Sequence, residues 1–117
     1  PSNLYKRTKA FANHPCTKWI RESTGNYMWV YILFTSLCKE YTFRYNKIHS
    51  CETRFINIFN EIPELIPKGN ITPFAQAMFD DVKHKNPIIA YRNYYKKYKK
   101  DFCVWTKRDV PYWYLIN

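Results

Sequence analysis

The sequence predicts an all-α fold, a compact single domain of about five helices around a central apolar helix at about residues 27–45. Three observations carry that prediction. Proline follows a capping residue three times, the apolar run "YMWVYILFTSLC" fills residues 27–38, and apolar side chains recur at spacings of three and four between residues 88 and 102. Hydrophobic residues make up 46% and aromatic residues 20% of the 117, with only two glycines, so the chain can form a rigid, ring-rich core and is a poor candidate for disorder.

The first helix is expected at Pro15, where a missing N–H costs little because first-turn amides have no helical acceptor, and Asn13 and His14 stand before it as capping residues. Along it Cys16, Trp19, Ile20 and Ser23 share one face, which leaves His14, Lys18, Arg21 and Glu22 for solvent or for chemistry. Asn26 is placed to cap a second helix reaching Tyr45. Wound at about 100° per residue, Tyr27, Val30, Tyr31, Phe34, Leu37, Cys38, Tyr41 and Tyr45 fall on one side of it, with Trp29, Ile32, Leu33 and Phe43 on the other. A helix apolar nearly all round is predicted to run through the middle of the domain. Ser50 caps a third, "CETRFINIFNEI", which must stop before Pro63. "PELIPKGNITP" (63–73) carries three prolines and a glycine and reads as a loop. Thr72 before Pro73 and Asn86 before Pro87 start two further helices, and "VWTKRDVPYWYLIN" is expected as a packed tail.

Nineteen Lys and Arg against nine Asp and Glu give a net charge of +10 and a pI near 9.5, which favours a polyanionic partner, DNA above all. The apolar run falls short of the roughly 20 residues that cross a bilayer, so no membrane partner is expected. Cys16, Cys38, Cys51 and Cys103 form no C-x-x-C pair and read as reduced thiols of an intracellular protein, in host cytoplasm if the chain is viral. Two His-x-Cys pairs, His14 with Cys16 and His49 with Cys51, have the residue types of a zinc site, but helix capping explains both, and no metal or cofactor is expected. A Gly-rich phosphate loop, the paired signatures of the nucleobase deaminases, H-E-x-x-H and an aspartate cluster for two metals are all missing; only Asp80 and Asp81 are adjacent.

The segment "AYRNYYKKYKKDF" (90–102) interleaves rings with cations. Helical winding is expected to separate them: Ile88, Tyr91, Tyr95, Tyr98 and Phe102 form a core-facing stripe, and Arg92, Lys96, Lys97, Lys99 and Lys100 share the remaining arc. Tyr94 is left near neither centre and is the ring expected to stack on bases. No carboxylate lies between Lys83 and Lys100, and Lys107 with Arg108 extends the positive ridge, so phosphate contact is expected there; Arg21 is a further candidate contact.

The motifs "NHPCTKWIRESTGNY", "LCKEYTFRYNKIH", "TPFAQAM", "AYRNYY" and "WTKRDVPYW", taken in order, resemble a family of small phage- and virus-encoded proteins, some of which carry the label of pyrimidine-dimer DNA glycosylase. The likeness runs from about Leu4 to Tyr114. Family members carry a further N-terminal segment, so the resemblance implies that this chain is the C-terminal part of a longer protein or a shortened relative. It also implies DNA repair: an amine attacks the sugar carbon to form a Schiff base while a carboxylate assists. Pro1 is then the candidate nucleophile, Glu22 its partner acid, His14 a further catalytic candidate and Lys18 a substitute amine, although no motif matches the glycosylase pattern residue by residue. Three readings therefore stand: a glycosylase-like repair protein, a non-catalytic nucleic-acid-binding module, and a virion or protein-interaction component anchored by Trp113 and Tyr114.

Overall fold

A computed structural model describes residues 12–116, and among these the fold is all-α, with no strand. Five helices form it: α1 (Pro15–Glu22), α2 (Thr24–Tyr45), α3 (Ser50–Phe59), α4 (Pro87–Tyr98) and α5 (Tyr112–Leu115), with short 3-10 turns at Asp80–Val82 and Lys100–Phe102. No helix among the described residues is long and apolar enough to cross a membrane.

Capping chemistry sets the helix starts. His14 and His49 each turn Nδ1 onto the amide of the cysteine two residues on, at 3.1 and 3.0 Å, which satisfies one first-turn N–H of α1 and of α3. Both His-x-Cys pairs are thus caps on separate helices, and Ser50 is the first residue of α3 rather than its cap. Asn86 caps α4 through Oδ1 to the Ile88 amide at 2.9 Å, ahead of Pro87 as expected. Ser23 is extended, with φ −158° and ψ 158°, and serves two helices, ending α1 and capping α2 through Oγ to the Asn26 amide. Asn26 therefore does not cap α2. It lies inside the first turn, fully buried, where Nδ2 donates to the Trp19 carbonyl (2.8 Å) and Thr72 Oγ1 (2.9 Å) and Oδ1 accepts from the Thr72 amide (2.8 Å). One side chain thereby ties α1, α2 and the 63–73 loop together.

That loop runs against the first turn of α2. The Thr24 amide donates to the Pro67 carbonyl and the Gly25 amide to the Gly69 carbonyl, both at 2.9 Å. A Cβ on Gly25 would meet the Ile71 nitrogen at 2.5 Å, so only glycine permits this approach.

No helix forms after Pro73. The backbone groups it would have used are spent on side chains: Trp19 Nε1 donates to the Pro73 carbonyl at 2.8 Å, and the Tyr91 hydroxyl donates to the Ala75 carbonyl while accepting from the Ala77 amide. Residues 73–79 instead make an irregular strap over α1, with Phe74 packed on Trp19 and Trp29 at centroid distances of 5.2 and 4.5 Å. Gln76 closes the following loop, donating to the His84 carbonyl and accepting from its amide.

Beyond its first two turns, where Asn26 and Trp29 pack on α1 and the strap, the central helix α2 is buried on one side only. Cys38 is buried, Phe34 meets Phe59 of α3 edge-on at 5.6 Å, and the Tyr27 hydroxyl donates to the Phe59 carbonyl. Met28, Ile32, Leu33 and Leu37 lie bare along the other side, with Ile32 56% and Leu37 58% exposed. An all-round apolar sequence had predicted full enclosure; α1, α3 and the tail are too few to surround 22 residues.

Candidate nucleic-acid interface

On α4 the buried face is centred on Ala90, which is fully buried, with Tyr91 and Tyr94 half-buried beside it. This is rotated by roughly 70° from the expected seam, taking 100° per residue. Ile88, Tyr95, Tyr98 and Phe102 were expected in the core and are exposed, Phe102 at 78%. The methyl of Ala90 lets α4 approach its neighbours closely on that face. Phe102 leaves the seam because α4 stops at Tyr98: Lys99 takes φ −121° and ψ 21°, and a 3-10 turn follows.

Tyr94 is accordingly not the solvent-facing ring. It packs against Tyr95 and Tyr98 at 5.9 and 6.0 Å, with the Lys99 ammonium 5.6 Å from its centroid. The exposed rings of this region that stand beside cations are Tyr98 and Phe102. Lys97 lies 5.4 Å from the Tyr98 ring and Lys99 5.4 Å from Phe102, while Phe79 meets Tyr98 at 5.0 Å.

The ridge divides by partner. Lys97 is neutralised by Asp81, which also accepts from the Tyr98 hydroxyl at 2.6 Å; the Lys97 hydrogen bond, then that of Tyr98, holds the Asp81 carboxyl below its usual range. Lys96 donates to the Ile116 carbonyl. Lys107, at φ 62°, donates to the Phe43 carbonyl (3.0 Å) and Asn46 Oδ1. Arg108 forks onto Glu40 at 2.9 and 3.0 Å and lies 4.0 Å over the Phe43 ring, so it is a clamp between tail and α2. Arg44 also donates to Glu40, and the two guanidiniums, Arg108 foremost, take that carboxyl down to about 2. Lys99 and Lys100 have no carboxylate partner among the described residues. Arg92 has none either; its guanidinium stacks 5.3 Å over Trp113.

The N-terminal candidates are not gathered. Pro1 lies outside the described residues. His14 and Glu22 sit at opposite ends of α1, about 12 Å apart along the axis at 1.5 Å per residue. His14 is occupied as a cap, and the exposed Glu22 carboxylate accepts from Thr72 Oγ1 at 3.1 Å. Arg21 donates to the Ala12 carbonyl at 2.6 Å, Lys18 is exposed, and Trp19 is buried as expected. The four cysteines are free thiols, and no group of three or more His, Cys, Asp or Glu side chains gathers among the described residues. Trp113 and Tyr114, expected as exposed anchors, are half-buried in a cluster with Trp105, and it is Tyr112 and Leu115 that face solvent.

Sequence reasoning missed one feature, a cavity of about 540 Å³ between α1, α2, α4 and the strap, lined by Trp19, Trp29, Phe74, Tyr91 and Trp113 with Arg92 at its edge. Its walls come from segments far apart in the chain, so no local pattern announces it. Comparisons with protein-family models, with curated proteins and with solved structures return no match.

Proposed function

We propose that the chain is a nucleic-acid-binding module whose contact surface is the C-terminal end of α4 and the turn after it. Its support is a bare ring beside an unopposed cation, Phe102 with Lys99 at 5.4 Å and the exposed Lys100 in the same turn, on a chain of net charge +10. Cations there meet phosphates and the ring offers a face on which an unpaired base stacks. DNA is the expected partner, and single strands suit the surface better than duplex because stacking needs an unstacked base. The glycosylase chemistry implied by the family resemblance is not preferred: Lys18, the candidate amine among the described residues, forms no ion pair with Glu22, and Pro1 lies outside those residues.

Fluorescence anisotropy on a labelled oligo-dT and on a duplex of equal length tests this. Single strand should bind more tightly, with log K falling as log salt rises by about 0.7 per phosphate neutralised. Charge reversal at Lys99 and Lys100 should weaken binding similarly for all sequences. Affinity unmoved by salt and by both reversals would refute the reading.

A further inference from the structure

We propose that the cavity between α1, α2, α4 and the strap binds a small organic anion: an aromatic or hydrocarbon body bearing one carboxylate-like group. A cavity of about 540 Å³ falls in the range that encloses a drug-sized ligand. Its walls are nearly all ring and hydrocarbon, with Trp19, Trp29 and Phe74 fixed against one another at 4.5–5.9 Å.

Two polar groups of those walls are engaged within the fold, while Trp29 Nε1, Trp113 Nε1 and the Tyr95 hydroxyl have no hydrogen-bond partner among the described residues. Trp19 Nε1 is held by the Pro73 carbonyl, and the Tyr91 hydroxyl is shared between the Ala75 carbonyl and the Ala77 amide. Arg92 is the charged group among them. It has neither a carboxylate nor a hydrogen-bond acceptor among the described residues, and the Trp113 face beneath it holds the guanidinium plane without using its donors. Five N–H donors beside an apolar cavity match one planar anion and little else. A nucleobase is a poor occupant, because most of its donor and acceptor edge would meet hydrocarbon and ring faces.

Ile88, Tyr91 and Tyr95 add an independent point. Their spacing is that of a core seam, yet they border this cavity, with Ile88 51% and Tyr95 45% exposed. Apolar surface arranged for burial and bordering a cavity gains most from an apolar ligand. This site does not depend on nucleic-acid binding at Lys99 and Lys100.

The test uses 2-naphthoate, its neutral analogue 2-naphthamide and thymidine 5′-monophosphate, followed by calorimetry and by the fluorescence of the lining indoles. Naphthoate should bind one per chain, and the amide about tenfold or more weakly, the difference made by a charged hydrogen bond. Arg92→Leu with unchanged circular dichroism should bring naphthoate down to the level of the amide. Arg92→Lys, which keeps the charge and loses the fork, should lie between, and Lys85→Gln, on the exposed loop before α4, should leave naphthoate binding unchanged. Naphthoate should also slow alkylation of Cys16, which lines the cavity, and leave Cys51 and Cys103 unaffected. Equal affinity for acid and amide, unchanged binding in Arg92→Leu, or thymidine monophosphate binding as tightly as naphthoate would each overturn the proposal.

Discussion

Gly25→Ala and Gly69→Ala should change stability in opposite directions, although both replace glycine with the residue that restricts the unfolded chain more. At Gly25 a Cβ would stand 2.5 Å from the Ile71 nitrogen and 2.6 Å from the Asn70 carbonyl carbon, whereas ordinary contact begins near 3.4 Å. Both are backbone atoms, so the loop must recede by roughly 1 Å. That stretches the Thr24–Pro67 and Gly25–Gly69 hydrogen bonds out of range, at about 1 kcal/mol each, on top of the ~1–3 kcal/mol typical of overpacking. Against this, alanine in place of a helical glycine gains up to ~1 kcal/mol. The net expectation is a loss of about 2–4 kcal/mol, read as a fall of about 8 °C or more in Tm. At Gly69 the same methyl would meet only Ser23 Cβ at 3.4 Å, so the entropic gain of about 0.4–1 kcal/mol should survive. Thermal and urea melts by circular dichroism measure both. A Gly25→Ala variant as stable as the parent would refute the claim that loop contact, and not helix propensity, rules this turn.

Asn26→Ala strands the Thr72 amide and the Trp19 carbonyl in a buried place and should cost on the order of 2–4 kcal/mol, checked by the same melts. The Glu40 carboxyl, held at about 2 in the folded chain, lies below its unfolded value; its contribution is therefore complete above about pH 5 and lost as pH falls toward 2. Tm should decline more steeply over that window in the parent than in Glu40→Gln. Lys100→Ala should weaken oligonucleotide binding and flatten its salt slope, while Lys97→Ala, whose charge Asp81 already opposes, should do so less; anisotropy titrations separate them. Phe102→Ala should weaken single-strand binding by about 1–3 kcal/mol and leave Tm nearly unchanged, since the ring is 78% exposed.

Local chemistry was legible in the sequence where its partners lie within a few residues. Pro15 and Pro87 mark helix starts because the benefit of proline at the first position is intrahelical, and the apolar face of α1 was readable from its period. Thr72–Pro73 carries the same signal and fails, because Trp19, Asn26 and Tyr91 reach in from other elements to take the backbone groups a helix needs. The ridge was legible as composition but not as charge. Asp81 reaches Lys97 from 16 residues away and Glu40 reaches Arg108 from 68, so a run free of acids in one dimension is partly neutralised in three.

The break at Lys99 joins the two proposed surfaces in one piece of geometry. Had α4 continued as a helix, Phe102 would have stayed in line with Tyr95 and Tyr98, and Lys100 would have stood about 80° round the axis from Arg92 on a continuous cationic arc. Ending the helix at Tyr98 instead turns Phe102 and Lys100 outward together, while Arg92, two turns earlier, stays over Trp113 at the cavity edge. The unspent cations of this helix and of the turn after it thus stand in different company, Arg92 beside an indole and an apolar cavity, Lys99 and Lys100 in the turn that exposes Phe102. A guanidinium so placed favours a single desolvated anion, and ammoniums so placed favour a hydrated phosphate chain, which is why the same helix is assigned two ligands and not one.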